Sequence, residues 1–266
     1  MAKTKKKKET SEQNPYEVPL YTPWDVARYL RVPIWGVAAL TGQPRHWIEP
    51  EFFFHHFFRG ASSIVLFDDD VVSSGGTDDR LRISFRRFAA LFVRAGVLQA
   101  FSEQHRAANV QSERWEVLHR WLWRGLEDTQ NEPVPFDASP LEERAQRLAS
   151  PFAARMDEQQ GALIRKHLTI RLERVETQAG QPIRVYPPSR EPVDTSTRMI
   201  EIDPKVRFGR PTLKGRGLPT DILFERHQAG DSVVDLATDY DISAAEVEEA
   251  IRYESRPSAQ FLPFYW

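Results

Sequence analysis

A loop at residues 208–220 constrains the fold of this chain more than any other sequence feature. It reads FGRPTLKGRGLPT and holds three glycines, two prolines and three cations in thirteen residues. Glycines at this density predict tight turns with positive φ. Pro219 predicts the start of a helix, because its φ is already fixed near the helical value. The chain is therefore expected to turn sharply here and then enter a helix.

The order of residues in this loop argues against a nucleotide-binding site. A phosphate-binding loop places Lys directly after its last glycine and a hydroxyl residue next. Here Lys214 precedes Gly215, and Arg216 follows where the hydroxyl would stand. The segment also lacks the G-x-G-x-x-G order of a dinucleotide-binding turn. The favoured interpretation is a turn-rich, basic approach to a small helical domain.

Three short helical patterns follow the loop and predict a domain over residues 199–255. Their start and stop residues are Pro219 or Thr220, Gly230, Ser232, Ser243 and Glu246, the last two forming a capping box. The apolar residues expected to fill their core are Ile222, Leu223, Leu236, Ala237, Tyr240, Val247, Ala250 and Ile251. The outline is that of a homeodomain-like helix-turn-helix, and the polar segment 189–198 is its predicted boundary.

A second helix-turn-helix is predicted near the N-terminus. Residues 21–30 read YTPWDVARYL, with Thr22 as N-cap and Pro23 at the first helical position. After the break RVP, residues 34–42 would form the recognition helix. The apolar spacing places Trp24, Ala27 and Leu30 on one face of the first helix. The candidates for DNA contact are Arg31, Trp35, Thr41, Arg45 and His46. The alternative is a helical hairpin that merely packs.

The middle of the chain is basic although the whole chain is not. Residues 80–124 hold nine Arg against three Glu, whereas the formal net charge of the protein is −2. Ser84 opens a long helix, and Arg86, Arg87 and Arg94 lie largely off its apolar stripe. Arg86 and Arg87 are therefore candidates for contact with DNA phosphates, and a solvated basic face is an equal alternative.

The remaining segments predict a mainly α chain with a small β-hairpin element, an α+β class. Residues 167–173 alternate apolar and polar side chains, TQAGQP is a turn, and IRVYPP is the return strand. The predicted divisions are a disordered Lys-rich tail (1–20), the helix-turn-helix and basic helical region (21–130), a linker, helix and hairpin (131–198), the domain 199–255 and an aromatic tail (256–266).

Composition excludes several classes of chemistry. The chain has no cysteine, which removes disulfides, thiolate catalysis and iron–sulfur ligation. Asp68, Asp69 and Asp70 suggest a solvated turn more than a nuclease metal site. The adjacent His55 and His56 suit a metal poorly because their side chains diverge, and satisfied or partly buried histidines are favoured. No enzyme, metal or cofactor is expected. No apolar run reaches the roughly 18–20 residues of a membrane span, and a cytoplasmic location is expected.

The last predicted helix is acidic, which favours a protein partner over DNA for the C-terminal domain. It carries Glu246, Glu248, Glu249 and Glu254 against one Arg, and carboxylates repel phosphates. The aromatic tail FLPFYW either packs back on its own domain or contacts a partner, because such residues are common at interface hot spots.

The C-terminal residues carry a resemblance to a small bacterial domain found in antitoxins of type II toxin–antitoxin loci. The matching residues are Ile200, Pro204, Gly209, Arg210, Pro211, Leu213, Lys214, Gly215, Gly217, Leu218, Pro219, Gly230, Leu236, Ala237, Tyr240, Val247, Ala250 and Tyr253. With YTPWDVARYLRVP and RISF further upstream, the layout resembles VapB-type antitoxins, which place a MerR-like DNA-binding segment in front.

This resemblance implies an antitoxin that binds its own operator as an autorepressor and neutralises a PIN-like ribonuclease toxin, acting as a homodimer or as a higher hetero-oligomer with the toxin. The candidates for toxin contact are Arg210, Lys214, Arg216, Phe264 and Trp266. Their cations would neutralise the acidic metal site of the toxin. The alternative is a DNA-binding regulator or adaptor without a toxin, whose C-terminal domain serves dimerisation.

Overall fold

The structure, a computed structural model, describes most of the chain with gaps. The described residues are 14–32, 37, 40, 82–108, 134, 136–153, 156–189 and 198–255.

Helices dominate this part of the chain, and its strands form short antiparallel pairs. The helices are α1 (Pro23–Leu30), α2 (Phe85–Ala108), α3 (Leu141–Ala153), α4 (Glu158–Glu173), α5 (Thr220–Gln228), α6 (Val233–Asp239) and α7 (Ala244–Ser255). The strands are β1 (Pro19–Tyr21), β2 (Ile83–Ser84), β3 (Val175–Gln178), β4 (Gln181–Val185), β5 (Ile200–Glu201) and β6 (Thr212–Leu213). The pairs are β1–β2, β3–β4 and β5–β6. The predicted α+β class is confirmed.

Helix α2 forms the centre of the larger core. Its residues Phe85, Phe88 and Phe92 are fully buried, as the apolar stripe predicted. Helix α4 crosses α2 at Gly96, where an added Cβ would lie 2.9 Å from the carbonyl oxygen of His167. A side chain at this position would push the two helices apart, so glycine sets their separation.

Helix α1 begins where the sequence predicted, and two of the three residues on its predicted apolar face are buried. The Thr22 hydroxyl accepts a hydrogen bond from the Asp25 backbone N–H, and the Asp25 carboxylate accepts from the Thr22 N–H. This capping box satisfies two of the free donors at the helix start. Ala27 and Leu30 lie in the core, whereas Trp24 of the same predicted face is 44% exposed and Val26 is fully buried. In an eight-residue helix, spacing alone permits more than one buried face.

The hairpin is real, but its first strand is not where the sequence placed it. Residues 167–173 belong to α4, and the strands that pair are β3 and β4. A capping box of Asp157 and Gln160 starts α4. The buried residues Ile164, Leu168 and Leu172 then recur every four positions, and this helical spacing continues to the end of the segment. The alternation of residues 168, 170 and 172 was compatible with both periods.

The C-terminal unit has a separate small core. Its fully buried residues are Leu213, Leu223, Leu236, Val247, Ala250 and Tyr253, with Ile200. The predicted capping box is confirmed, since the Ser243 hydroxyl accepts from Glu246 N–H and the Glu246 carboxylate accepts from Ser243 N–H. The predicted positive φ of the three loop glycines is also confirmed.

Backbone hydrogen bonds join this unit to the hairpin. Val185 and Ile202 exchange both N–H···O bonds, at 3.1 and 2.8 Å. Beside them, the Arg184 guanidinium lies 3.2 Å from a Glu201 oxygen and 3.1 Å from an Asp203 oxygen. The C-terminal unit is therefore connected to the middle of the chain by more than the segment 189–198.

Candidate functional site

Ion pairs attach the C-terminal unit to α1. The Arg31 guanidinium donates to the Tyr253 carbonyl and, at 3.0 Å, to the Glu254 carboxylate. Arg28 lies 3.4 Å from Asp221 and 3.5 Å from Glu254. Both carboxylates are nearly buried, so these pairs are screened less than surface pairs. The first helix of the predicted helix-turn-helix is thus held by α5 and α7.

Tyr253 lies at the centre of this contact. Its ring is fully buried, and its hydroxyl donates a 3.0 Å hydrogen bond to the Tyr29 carbonyl. Burial raises the pKa of Tyr253, so the phenol stays protonated and remains a donor. The Arg31 guanidinium carbon lies 4.7 Å from the ring centre, a cation–π distance.

The backbone of Arg31 adopts a left-handed conformation at the end of α1, with φ of 55°. Glycine or asparagine usually occupies such a position, because other side chains are strained there. The side chain of Arg31 is only 12% exposed. The structure therefore places this predicted DNA contact against the C-terminal unit, and reaching DNA would require that contact to open.

The predicted toxin-binding cations of the loop already have partners within the protein. Arg210 donates to Asp221, and Arg216 lies 3.5 Å from Glu246. The Lys214 ammonium lies 5.2 Å from the centre of the Tyr186 ring. The side chains of Arg210 and Arg216 remain about half exposed, so their outer faces are accessible to a partner.

Close packing fixes the position of this loop against β1. The hydroxyl of Tyr21 lies against the α-carbon of Gly209, where any Cβ would overlap it. Gly209 also has φ of 75°. Both observations require glycine at this position. Tyr21 stacks on Phe88 of α2 at 4.6 Å, which connects the loop to the larger core.

The carboxylates of α7 do not form one exposed acidic face. Glu249 is buried and accepts from Ser189 and Arg252. Glu254 is nearly buried and also accepts from Thr220 at 2.6 Å. Glu246 serves the helix cap, which lowers its pKa through the Ser243 backbone hydrogen bond. Glu248 is the residue of the predicted set with a largely exposed carboxylate.

The predicted phosphate contacts Arg86 and Arg87 line an open cleft with a third arginine. The cleft has a volume of about 210 Å³ and is also lined by Arg94, Phe136 and Val134. Arg94 is nearly buried, while Arg86 is half exposed and lies 3.7 Å from Glu17. Three arginines therefore line one cleft, a residue type that suits an anionic group such as phosphate.

Several predicted residues lie outside the described part of the chain. They are Trp35, Thr41, Arg45, His46, Phe264 and Trp266, together with His55, His56 and Asp68, Asp69 and Asp70. Of the predicted recognition helix, the structure describes Val37 and Leu40, which are helical and buried.

Sequence reasoning missed the partners of Arg28 and Arg31. Asp221 and Glu254 follow these arginines by about 200 positions in the sequence. The only local signal was Tyr253, since a large aromatic near the end of a short helix needs a buried surface.

Within the described ranges, His, Asp and Glu side chains form no group of three or more that could hold a metal ion. No helix in the described part of the chain combines the length and apolar composition that crossing a membrane requires.

Comparisons with known proteins agree with the domain seen at the C-terminus. Residues 200–253 match the family model DUF433, described as a protein of unknown function. No curated protein matches the chain in a sequence search. The crystal structure of Rv2018 from Mycobacterium tuberculosis is similar, with 17% identity and a TM-score of 0.50 over 89% of this chain and 99% of that one. At this identity the likeness concerns the fold.

Proposed function

We propose that this chain is an antitoxin that neutralises a PIN-like ribonuclease toxin and binds its own operator DNA as an autorepressor. The observation that carries the proposal is the DUF433-type unit, because this family is often linked to toxin–antitoxin-like modules. That unit is joined to α1 by ion pairs to the nearly buried carboxylate of Glu254. A toxin-binding module and a DNA-binding helix would therefore act as one body.

The charge of the loop supports a toxin as partner. Residues 204–217 carry five cations and no carboxylate. PIN-like ribonucleases hold their metal with clustered carboxylates, as the family resemblance implies, so opposite potentials would meet across the interface. Complementary potentials speed association and exclude wrong partners. Lys214 and Arg216 would approach the carboxylates of the toxin.

The cleft of α2 supports the DNA-binding half of the proposal. Arg86, Arg87 and Arg94 would neutralise phosphates and set the position of the chain on the duplex. Base contacts would come from the helix that contains Val37 and Leu40. A homodimer would present two such helices to a two-fold operator.

A regulator or adaptor without a toxin is the second candidate, and one observation favours it. The cations Arg210 and Arg216 already have carboxylate partners within the unit. A C-terminal unit that served dimerisation would need no acidic partner. The two candidates differ in whether a neighbouring gene encodes a ribonuclease.

Co-expression tests the antitoxin proposal. The neighbouring ribonuclease gene is induced alone, with the full chain, or with a Lys214→Glu, Arg216→Glu double variant. We expect the full chain to restore growth and the double variant to fail, because reversed charge repels the carboxylates of the toxin. A Lys166→Glu variant is the matched control, since Lys166 is an exposed cation of α4. Growth arrest that persists with the full chain contradicts the proposal.

A further inference from the structure

Phe208 is presented to solvent in a way that folding alone does not explain. The residue is 84% exposed, the most exposed large apolar residue in the described part of the chain. It follows Arg207, and both adopt left-handed φ, of 48° and 57°. Residues other than glycine are strained in this region, and strain of this kind concentrates at functional sites. The strained backbone therefore lowers the stability of the fold while it keeps an aromatic ring exposed to water.

The turn that carries Phe208 is held firmly. The N–H of Gly209 donates to Val206 at 3.0 Å, and the N–H of Arg210 donates to Arg207 at 3.2 Å. The Arg207 side chain donates to the Gly217 carbonyl at 3.1 Å, which ties the turn to the glycine loop. Because the backbone is already fixed, a partner would order little more than the ring on binding.

Cations flank Phe208 in the sequence. Lys205 and Arg207 stand within three residues of it in the sequence. In the described ranges, no carboxylate lies within ion-pair distance of Arg207. The bond from Arg207 to Gly217 also places the Arg216 turn beside this segment. An exposed aromatic ring in a segment that is rich in cations and has no carboxylate is complementary to an apolar pocket with an acidic rim.

We propose that Phe208 is the anchor by which the C-terminal unit docks on its ribonuclease partner, whose pocket is apolar and rimmed by carboxylates. This inference rests on the proposed function and adds a residue to its toxin-binding surface. Aromatic and Arg side chains together form most hot spots of protein interfaces.

Titration calorimetry of the full chain with the purified product of the neighbouring ribonuclease gene tests the proposal. We expect Phe208→Ala to weaken binding by about 30-fold or more, the loss typical of a central anchor. Phe208→Gly should weaken binding equally while its melting temperature stays level or rises, because glycine relieves the strained φ. That combination separates a lost contact from a damaged fold. Val234→Ala is the matched control, since Val234 is 69% exposed on α6 of the same unit, and its affinity should not change.

The remaining outcomes each overturn a stated claim. If the wild-type chain binds the ribonuclease and both Phe208 variants bind within about twofold of it, Phe208 is not the anchor and the proposed function stands. If the wild-type chain does not bind, both proposals fail. If Phe208→Ala instead lowers retention of operator DNA, the surface belongs to nucleic acid. If Phe208→Ala converts a dimer of this chain to a monomer in sedimentation while its affinity for the ribonuclease is unchanged, the surface belongs to a second copy of the chain.

Discussion

Replacing Arg31 by Ala tests whether the C-terminal unit is locked to α1. The variant removes the donor to the Tyr253 carbonyl, the 3.0 Å pair with Glu254 and the cation above the Tyr253 ring. Glu254 would remain nearly buried, with Thr220 and the more distant, half-exposed Arg28 as partners. An almost buried carboxylate would thus lose its best-placed cation.

The expected loss follows from these contacts. Removing one partner of a buried ion pair costs about 3–5 kcal/mol, and Arg28 lessens this by keeping a cation 3.5 Å from Glu254. A charged hydrogen bond contributes about 1.5–3 kcal/mol and a cation–π contact about 0.5–1. We therefore expect Arg31→Ala to lower the free energy of unfolding by about 3 kcal/mol.

Urea denaturation of the full chain measures this loss, with two comparisons. Arg31→Gly should be less destabilised than Arg31→Ala by about 1 kcal/mol, because glycine accepts the left-handed φ of this position. A double-mutant cycle with Glu254→Gln should give a coupling free energy of at least about 1 kcal/mol. If Arg31→Ala stays within about 0.5 kcal/mol of the wild type, or if the two substitutions are additive, the lock between α1 and α7 does not exist.

Three further predictions concern single positions. Gly209→Ala should lower the free energy of unfolding by about 2–4 kcal/mol, because the added Cβ overlaps the Tyr21 hydroxyl and the residue has a positive φ. Adding Tyr21→Phe to this variant should restore part of the lost stability in thermal melts. Burial lowers the pKa of His167 below its usual value, so its protonation favours the unfolded chain. The free energy of unfolding should therefore fall as the pH drops below about 6.5. His167→Gln should remove much of this pH dependence in urea titrations at several pH values. An unchanged pH dependence in the variant contradicts the assignment of the effect to His167. Phe208→Gly should raise the free energy of unfolding by about 1 kcal/mol, and a loss in urea titrations would show that the ring is needed for the fold.

Local signals in the sequence were sufficient for the C-terminal helices and their caps. Ser243 and Glu246 form a capping box wherever the chain can enter a helix, because both bonds lie within four residues. The glycine turns were equally local, since only the backbone at each glycine is involved. The hairpin was found through its turn, but its first strand was misplaced because residues 167–173 fit two periods.

The contacts of the candidate site could not be predicted in the same way. Arg31 was assigned to DNA from its position beside a predicted recognition helix, and nothing nearby indicated that Glu254 would lie against it. Pairs separated by about 200 positions leave no trace in a local pattern. The exposure of Phe208 could not be predicted either, because a large apolar side chain is expected to be buried.

Inhibition of the purified ribonuclease tests the central claim most directly. The neighbouring gene product is assayed for cleavage of a labelled RNA while the full chain is added in increasing amounts. The account predicts that cleavage falls to zero at a fixed molar ratio, because the C-terminal unit would then cover the acidic site of the toxin. Cleavage that continues unchanged at a large excess of the full chain would contradict it.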